Sequence, residues 1–352
     1  MSVPASPRRQ AVVLVLVNAV VSSLLLAGVE GALHLMLIRP GLIPGPALLD
    51  TMRGLYWAER WNDLIQFSPA CAQSHETLGY TLKPGHCTFA GTEFSNAYAI
   101  NHLGLRDDDA SLQQPEIVVL GDSFAMGWGV DQDQTFAQLI EQRTGRRTLN
   151  AGISSYGTAR EIENLARIDR SHLRVLIVQY CDNDDDENRA YVSHGFHLDT
   201  MTARAWQNFA AGYHDMRQYW PGRDLMSLAR MVRGAGGAPG PPGPAAPGAL
   251  SDVEAFARVL EHAPIAFDDV AVFVVETTNA GRGGRAFHDR LIALQKQSPA
   301  SALARVTAVD SAAALRPEHY YRLDGHLNAA GHAALAGTLL DAIGQRGALP
   351  IN

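Results

Sequence analysis

At 352 residues, with 36 acidic and 29 basic side chains, the chain has a net charge of -7 and no basic footprint for nucleic acid. Cys71, Cys87 and Cys181 fit no zinc or haem spacing, so neither a structural metal nor a cofactor is expected. An apolar fraction of 47% against 18% charged suits a globular body with an extra apolar load, long enough for one large or two ordinary domains.

That extra load sits at the start. Ala11 to Val29 is nineteen residues without a charge, and further apolar residues follow Glu30 to position 38. Nineteen residues at about 1.5 Å each span roughly 28 Å, close to the hydrocarbon thickness of a bilayer. The run is long for a secretory leader and has no convincing small-x-small cleavage site, so an uncleaved anchor over 11–38 is expected. Arg8 and Arg9 place residues 1–10 in the cytoplasm, although Arg39 and Arg53 weaken the charge bias. The arginine pair also matches a twin-arginine export signal. The expected location is a bacterial inner membrane, with the body on its periplasmic side.

Residues 39–103 read as an extension. Leu55 to Phe67 carries Tyr56, Trp57 and Trp61 at helical spacing, fitting either a membrane-surface helix or one packed on the body. Residues 68–115 are rich in turn formers, with short strands. Cys71 and Cys87 form either a disulfide in an oxidising space or two unrelated thiols.

From residue 116 strands and helices alternate. Ile117–Leu120, a short strand around 147–152, Arg174–Tyr180, Val270–Thr277 and a strand around 305–310 are each followed by helical patterns. That alternation predicts an α/β fold, a parallel sheet covered on both faces. Ser251 and Glu254 form a capping box, and Asn328 caps a final helix on which His332 is structural. Residues 190–250 read as an insertion, either a lid or recognition element or a decoration. Gly234 to Gly248 has eleven glycines and prolines in fifteen residues and is expected as a flexible loop.

In such sheets ligands sit at the carboxyl ends of the strands. There the chain places Gly121-Asp122-Ser123, then Gly152, then Asn183 within the acidic run Asp182 to Glu187, then Asp324 and His326. Taken singly, Ser123 is a nucleophile or a helix cap, Gly152 a turn, and the acidic run a solvated loop or weak cation site. Together they are the parts for acyl transfer: a hydroxyl, an imidazole base, a carboxylate to orient it, and donors for an oxyanion.

In these blocks the chain resembles the SGNH or GDSL hydrolase superfamily, over about Gly104 to Gln345. The blocks are "GDSFAMGWGV", Gly152, "CDND" and "DGHLNAAGH". The resemblance implies a flavodoxin-like three-layer α/β/α sandwich with a five-stranded parallel sheet, as a domain over 104–348. It implies Ser123 as nucleophile, His326 as base and Asp324 as the orienting acid, with Asp310 the weaker candidate for that last role. The oxyanion donors would be the N–H groups of Ser123 and Gly152 and the Asn183 amide. Two departures stand out: Cys181 replaces a usual glycine, and Asp324 and His326 are two apart instead of three. The shorter spacing also looks like membrane-anchored and polysaccharide-acetylating relatives. The leading expectation is a membrane-anchored serine esterase acting on acyl, foremost acetyl, esters of a carbohydrate or lipid. An O-acyltransferase with the same residues and a non-catalytic glycan-binding module are the alternatives. Nothing in the sequence marks a protein partner.

Overall fold

The computed structural model describes residues 7–58, 64–215, 219–234, 250–279, 283–299 and 301–349. Of the expected flexible loop only Gly234 lies within them. In chain order the elements begin with α1 (Pro7–Ile38), α2 (Pro46–Ala58), and two hairpins, β1 (Ala72–His75) with β2 (Gly79–Leu82) and β3 (Gly85–Ala90) with β4 (Ser95–Ile100). Then come β5 (Ile117–Leu120), α3 (Ser123–Met126), α4 (Phe136–Thr144), β6 (Thr148–Asn150), α5 (Thr158–Leu165), β7 (Val175–Tyr180) and α6 (Asp184–Ser193). The chain continues with α7 (Ala203–Asp215), α8 (Arg223–Val232), α9 (Asp252–Glu261), β8 (Ala271–Glu276), α10 (Ala286–Gln297), β9 (Thr307–Val309) and α11 (Ala329–Gln345).

Two compact units result, one of residues 62–215 and 242–352, the other of residues 1–61 and 216–241. In the larger, a five-stranded parallel sheet has the order β6-β5-β7-β8-β9. Successive side chains on a strand point to opposite faces, and the burial follows that period. Val118, Leu120, Leu176, Val178, Val272 and Val274 join a core with α5, α9 and α10. Their neighbours Ile117, Val119, Val175, Ile177, Phe273 and Val275 join a second core with α4 and α11. Every residue of β5 and β7 is buried, because helices cover both faces. This is the covered parallel sheet expected from the alternating pattern, in the three-layer α/β/α form with five strands that the resemblance implies.

The structure moves one boundary. Residues 62–103, read in sequence as part of a separate extension, belong to the unit that holds the sheet. Phe89, Phe94, Tyr98 and Ile100 of the hairpin pack on Met126 and Trp128, just past the first sheet strand. Cys71 and Cys87 are joined as a disulfide with Cα atoms 5.4 Å apart, which settles the choice left open by their spacing. The helix expected over 55–67 is shorter: α2 ends at Ala58, and Ile65–Phe67 is a separate 3-10 turn. Trp61 lies outside the described residues. Helix α7 is tied down by Trp206, whose indole N–H donates to the Gln66 carbonyl at 2.8 Å, and by Phe209 stacked on Phe67.

The capping expectations are met in detail. Ser251 Oγ accepts from the Glu254 N–H, and Asn328 Oδ1 accepts from Gly331 at 3.1 Å. His332, on the first turn of α11, accepts the Phe136 N–H at Nδ1 (3.2 Å) and stacks on that ring. Burial first, and then the charges of Arg106 and His326, hold its pKa down to about 3. Unfolded, an imidazole titrates near pH 6.5. Between about pH 6.5 and 3 the unfolded chain therefore binds a proton that the folded chain does not. This contribution to stability is full above pH 6.5 and lost as the pH falls. Denaturation midpoints measured from pH 7 to 4 should decline. His332→Gln, which keeps an acceptor but cannot titrate, should flatten that decline by up to about 1.4 kcal/mol per pH unit.

Candidate active site

β5 ends at Leu120, and two residues later the chain turns into α3 with Ser123 as its first helical residue. Asp122 is the cap: its carboxylate accepts the Phe124 N–H at 2.9 Å. The Ser123 backbone N–H, one of the orphan donors at a helix start, has no acceptor among the described residues. Both neighbouring strands hold this turn. From β7, Gln179 Oε1 accepts the N–H groups of Asp122 (3.0 Å) and Ala125 (3.2 Å), while its Nε2 donates to Thr277 Oγ1 (2.9 Å). From β6, Asn150 Nδ2 donates to the Ala125 carbonyl (3.0 Å). The strand order reverses between β5 and β7, the switch point where crevices open in doubly wound sheets.

His326 arrives from the loop before α11. Its Nε2 is 2.7 Å from Ser123 Oγ, and its Nδ1 is 2.5 Å from Asp324 Oδ1. A carboxylate accepts, so Nδ1 carries the proton and Nε2 is left to accept the Ser123 hydroxyl. Asp324 also accepts the His326 backbone N–H (3.2 Å) and, at Oδ2, the Trp128 indole N–H (3.1 Å). The Trp128 ring stacks on the imidazole, centroids 4.7 Å apart and planes at 14°. The two-residue spacing works because Gly325 between them is left-handed (φ +82°), turning both side chains to one side; a Cβ there would also lie 2.9 Å from the Asn279 carbonyl. Ser123 is 8% exposed and Asp324 fully buried. Asp310, the weaker candidate, pairs with Arg285 at 2.5 Å instead.

Several residues that sequence reasoning missed hold this arrangement. Glu93, in the turn joining β3 and β4, accepts three successive backbone N–H groups: Arg322 (2.8 Å), Leu323 (2.7 Å) and Asp324 (2.9 Å). Burial raises its pKa against the pull of those donors. Arg106, wholly buried, donates to the carbonyls of Met126 (3.2 Å), Gly127 and Val130 (2.6 Å), with its guanidinium 3.6 Å from the Tyr98 ring centre. It thereby fixes the loop that presents Trp128. A lone glutamate in a hairpin turn and a lone arginine before a strand carry no sequence signal for these contacts.

The expected oxyanion donors are placed differently from one another. Gly152 is a correction: its N–H is committed to Asn150 Oδ1 at 3.1 Å, and it is glycine because a Cβ would collide with the Met126 backbone nitrogen. Asn183 is exposed at the start of α6, and its side chain is among the polar groups that favour the Asp122 carboxylate against the burial that raises its pKa. The run after it is no solvated loop. Asp184 and Asp185 are buried in the first turn of α6, where the helix dipole favours acids, and Glu187 pairs with Arg160. Cys181, at the departure from the usual glycine, is a buried free thiol. Ser155 is an addition. It is exposed within an otherwise buried run, and its backbone is left-handed at φ +59°, a conformation that costs a serine about 1 kcal/mol. Its hydroxyl accepts from Gln66 Nε2 (2.9 Å), while its N–H has no acceptor among the described residues.

No protein-family model matches the chain, and no curated protein matches it by sequence. Among solved structures it is similar to a G-D-S-L family protein from Desulfitobacterium hafniense, at 8% identity, covering 64% of this chain and 98% of that one, with a TM-score of 0.35. It is likewise similar to a member of the lipolytic G-D-S-L family from Veillonella parvula, at 12% identity over 64% and 96% of the two chains, TM-score 0.34. A GDSL-like lipase from Bacteroides thetaiotaomicron shares 13% identity over 67% and 94%, TM-score 0.34.

Proposed function

We propose that this chain is a serine esterase of SGNH type, tethered to a membrane, that cleaves acyl esters, foremost acetyl esters, of a carbohydrate or lipid outside the cytoplasm. The observation that carries the reading is the relay Ser123–His326–Asp324, with contacts of 2.7 and 2.5 Å. In the first step Ser123 Oγ bonds to the ester carbonyl carbon as its proton passes to His326 Nε2. The carbon–alkoxide bond then breaks, and the same proton leaves with the alcohol. Water, deprotonated by His326, next attacks the acyl-enzyme and releases the acid and the free serine. Asp324 stabilises the imidazolium at each stage. The developing oxyanion would be met by the N–H groups of Ser123 and Ser155 and by the Asn183 amide. Each such donor typically lowers the barrier by about 3 to 4 kcal/mol.

Support for the tether lies in α1. Its large apolar side chains from Val12 to Val29 are 47% to 68% exposed, which suits lipid and not water. Beyond Val29 the same helix is built into a folded unit: Glu30, Leu33 and Leu37 are buried. A leader removed after export has no reason to end inside packed structure, which favours a retained anchor. The disulfide favours an oxidising compartment for the body.

The test is chemical. Purified intact chain is offered a fluorophosphonate and a short-chain acetyl ester, and the adduct is located by mass spectrometry. A single adduct on Ser123 with ester turnover is expected; an unlabelled Ser123 together with absent turnover would remove the enzyme reading. Glu93 gives a second measurement. Glu93→Gln turns one acceptor into a donor facing backbone N–H groups, so the loop carrying Asp324 should shift. A displacement near 1 Å costs up to about 100-fold, so kcat should fall roughly 10- to 100-fold with KM unchanged. A lower melting midpoint with unaltered kcat would mean that the carboxylate holds only the hairpin.

A further inference from the structure

In the smaller unit the accessibility of α1 changes abruptly at one residue. Val29 is 47% exposed, whereas Glu30 is 6% exposed and Leu37 is fully buried. Glu30 is covered by the start of α8. Its Oε1 accepts the Tyr219 hydroxyl (3.2 Å) and the N–H groups of Gly222 (3.0 Å) and Asp224 (3.3 Å), and its Oε2 accepts Leu225 N–H (2.8 Å). One turn further, His34 Nδ1 lies 3.2 Å from Asp224 Oδ2, and its ring packs on Tyr219 with centroids 4.3 Å apart. A glutamate on an otherwise apolar helix is costly in lipid. Here it is matched by the orphan N–H donors of another helix.

This clamp fixes a level. The exposed uncharged stretch from Ala11 to Val29 is about 28 Å long at 1.5 Å per residue, close to the roughly 30 Å hydrocarbon layer. Helix α8 is joined to α1 at the next residue, so it lies where that layer ends. Its outward face is suited to such a position. Met226, Ala229, Arg230 and Arg233 recur at helical spacing on the exposed side, after an exposed Trp220, while Arg223, Asp224 and Ser227 are buried on the other side. Between Tyr219 and Gly234 there are three arginines and one acid, Asp224, which is buried. That local positive excess stands out in a chain of net charge -7. Apolar and aromatic side chains mixed with arginine are the composition of segments seated among anionic headgroups.

We propose that the outer face of α8, with Trp220, Met226, Arg230 and Arg233, rests on the anionic lipid headgroups of the membrane that α1 crosses. The inference rests on the membrane-spanning reading of α1. It gives this part of the insertion the role of a foot, which restrains the tilt of the tether where it leaves the bilayer.

The test uses the intact chain reconstituted into vesicles of brominated phosphatidylcholine, with or without brominated phosphatidylglycerol. Carbonate extraction reports whether α1 is integrated, and tryptophan emission reports depth, with Trp220→Phe subtracted to isolate that one ring. Retention after carbonate is expected, with at least half of the Trp220 emission quenched in anionic vesicles. Arg230→Glu with Arg233→Glu should reduce that quenching at least twofold in anionic vesicles while carbonate retention and the melting midpoint stay unchanged. Loss of the chain to carbonate would defeat the anchor and this inference together. Retention with an unquenched Trp220, or quenching indifferent to both lipid charge and the arginine reversals, would overturn the inference and leave the anchor standing.

Discussion

Replacing Ser123 with alanine should reduce turnover of a short-chain ester by a factor on the order of 10^6, the scale seen when a triad nucleophile is removed. The substitution is unusually clean here. Alanine keeps the backbone N–H at the start of α3, so the donor proposed to meet the oxyanion at 123 is retained. The braces from Gln179 and Asn150 reach the backbone of residues 122 and 125 and do not touch the Ser123 side chain. Only the attacking oxygen and its 2.7 Å contact with His326 are lost. Whatever rate remains should reflect the donors alone, roughly 10^3-fold over water. Steady-state turnover on purified variant and parent checks this, with unchanged melting midpoints as the folding control. A variant that keeps more than about one part in a hundred of parental kcat is incompatible with a covalent mechanism at this residue.

What the sequence revealed, and what it hid, follows from the range of each signal. The sheet was legible because its strands are apolar runs bounded by turn formers, and because alternate residues of each run enter opposite cores. Arg174–Tyr180 reads as a strand in sequence, and the structure places it one residue shorter, at Val175–Tyr180. The residues of the site were legible because each follows a strand in a short block. Their supports were not. Glu93 meets Asp324 across 231 positions of chain, and Trp128 meets it across 196. No local pattern encodes such pairings, since they depend on how the β3–β4 hairpin lies against the sheet. Gly152 shows the opposite failure. A glycine after a strand was read as a donor, yet packing against Met126 explains why it is glycine, and a polar neighbour two residues back takes its N–H. Ser155 could have been noticed only from backbone strain, which a serine codon does not announce.

Asp324→Asn is the second large effect, and the surroundings of that carboxylate decide its form. N–H donors converge on it from the His326 ring, the His326 backbone and the Trp128 indole. An amide has one acceptor oxygen and one donor nitrogen, so it cannot satisfy both sides. With its oxygen towards His326, its NH2 group meets the Trp128 N–H, two buried donors facing each other. With its oxygen towards Trp128, the NH2 group meets Nδ1, which must then give up its proton. The imidazole would carry that proton on Nε2 and could no longer accept from Ser123. Each orientation sets the NH2 group against one buried N–H, the Trp128 indole in the first and the His326 backbone in the second. Through the tautomer shift of the second, kcat should fall by up to about 10^4, equivalent to roughly 5 kcal/mol of barrier. The Trp128 contact makes the argument separable from a general loss of packing. When Trp128→Phe is added to Asp324→Asn, the indole donor is gone, and the introduced amide can turn its oxygen back to His326. The double variant should therefore lose less activity than the two single losses multiplied together, a favourable coupling readable from four kcat values. Multiplicative losses would show that the indole does not choose the amide's orientation, and that Asp324 serves His326 by its charge alone.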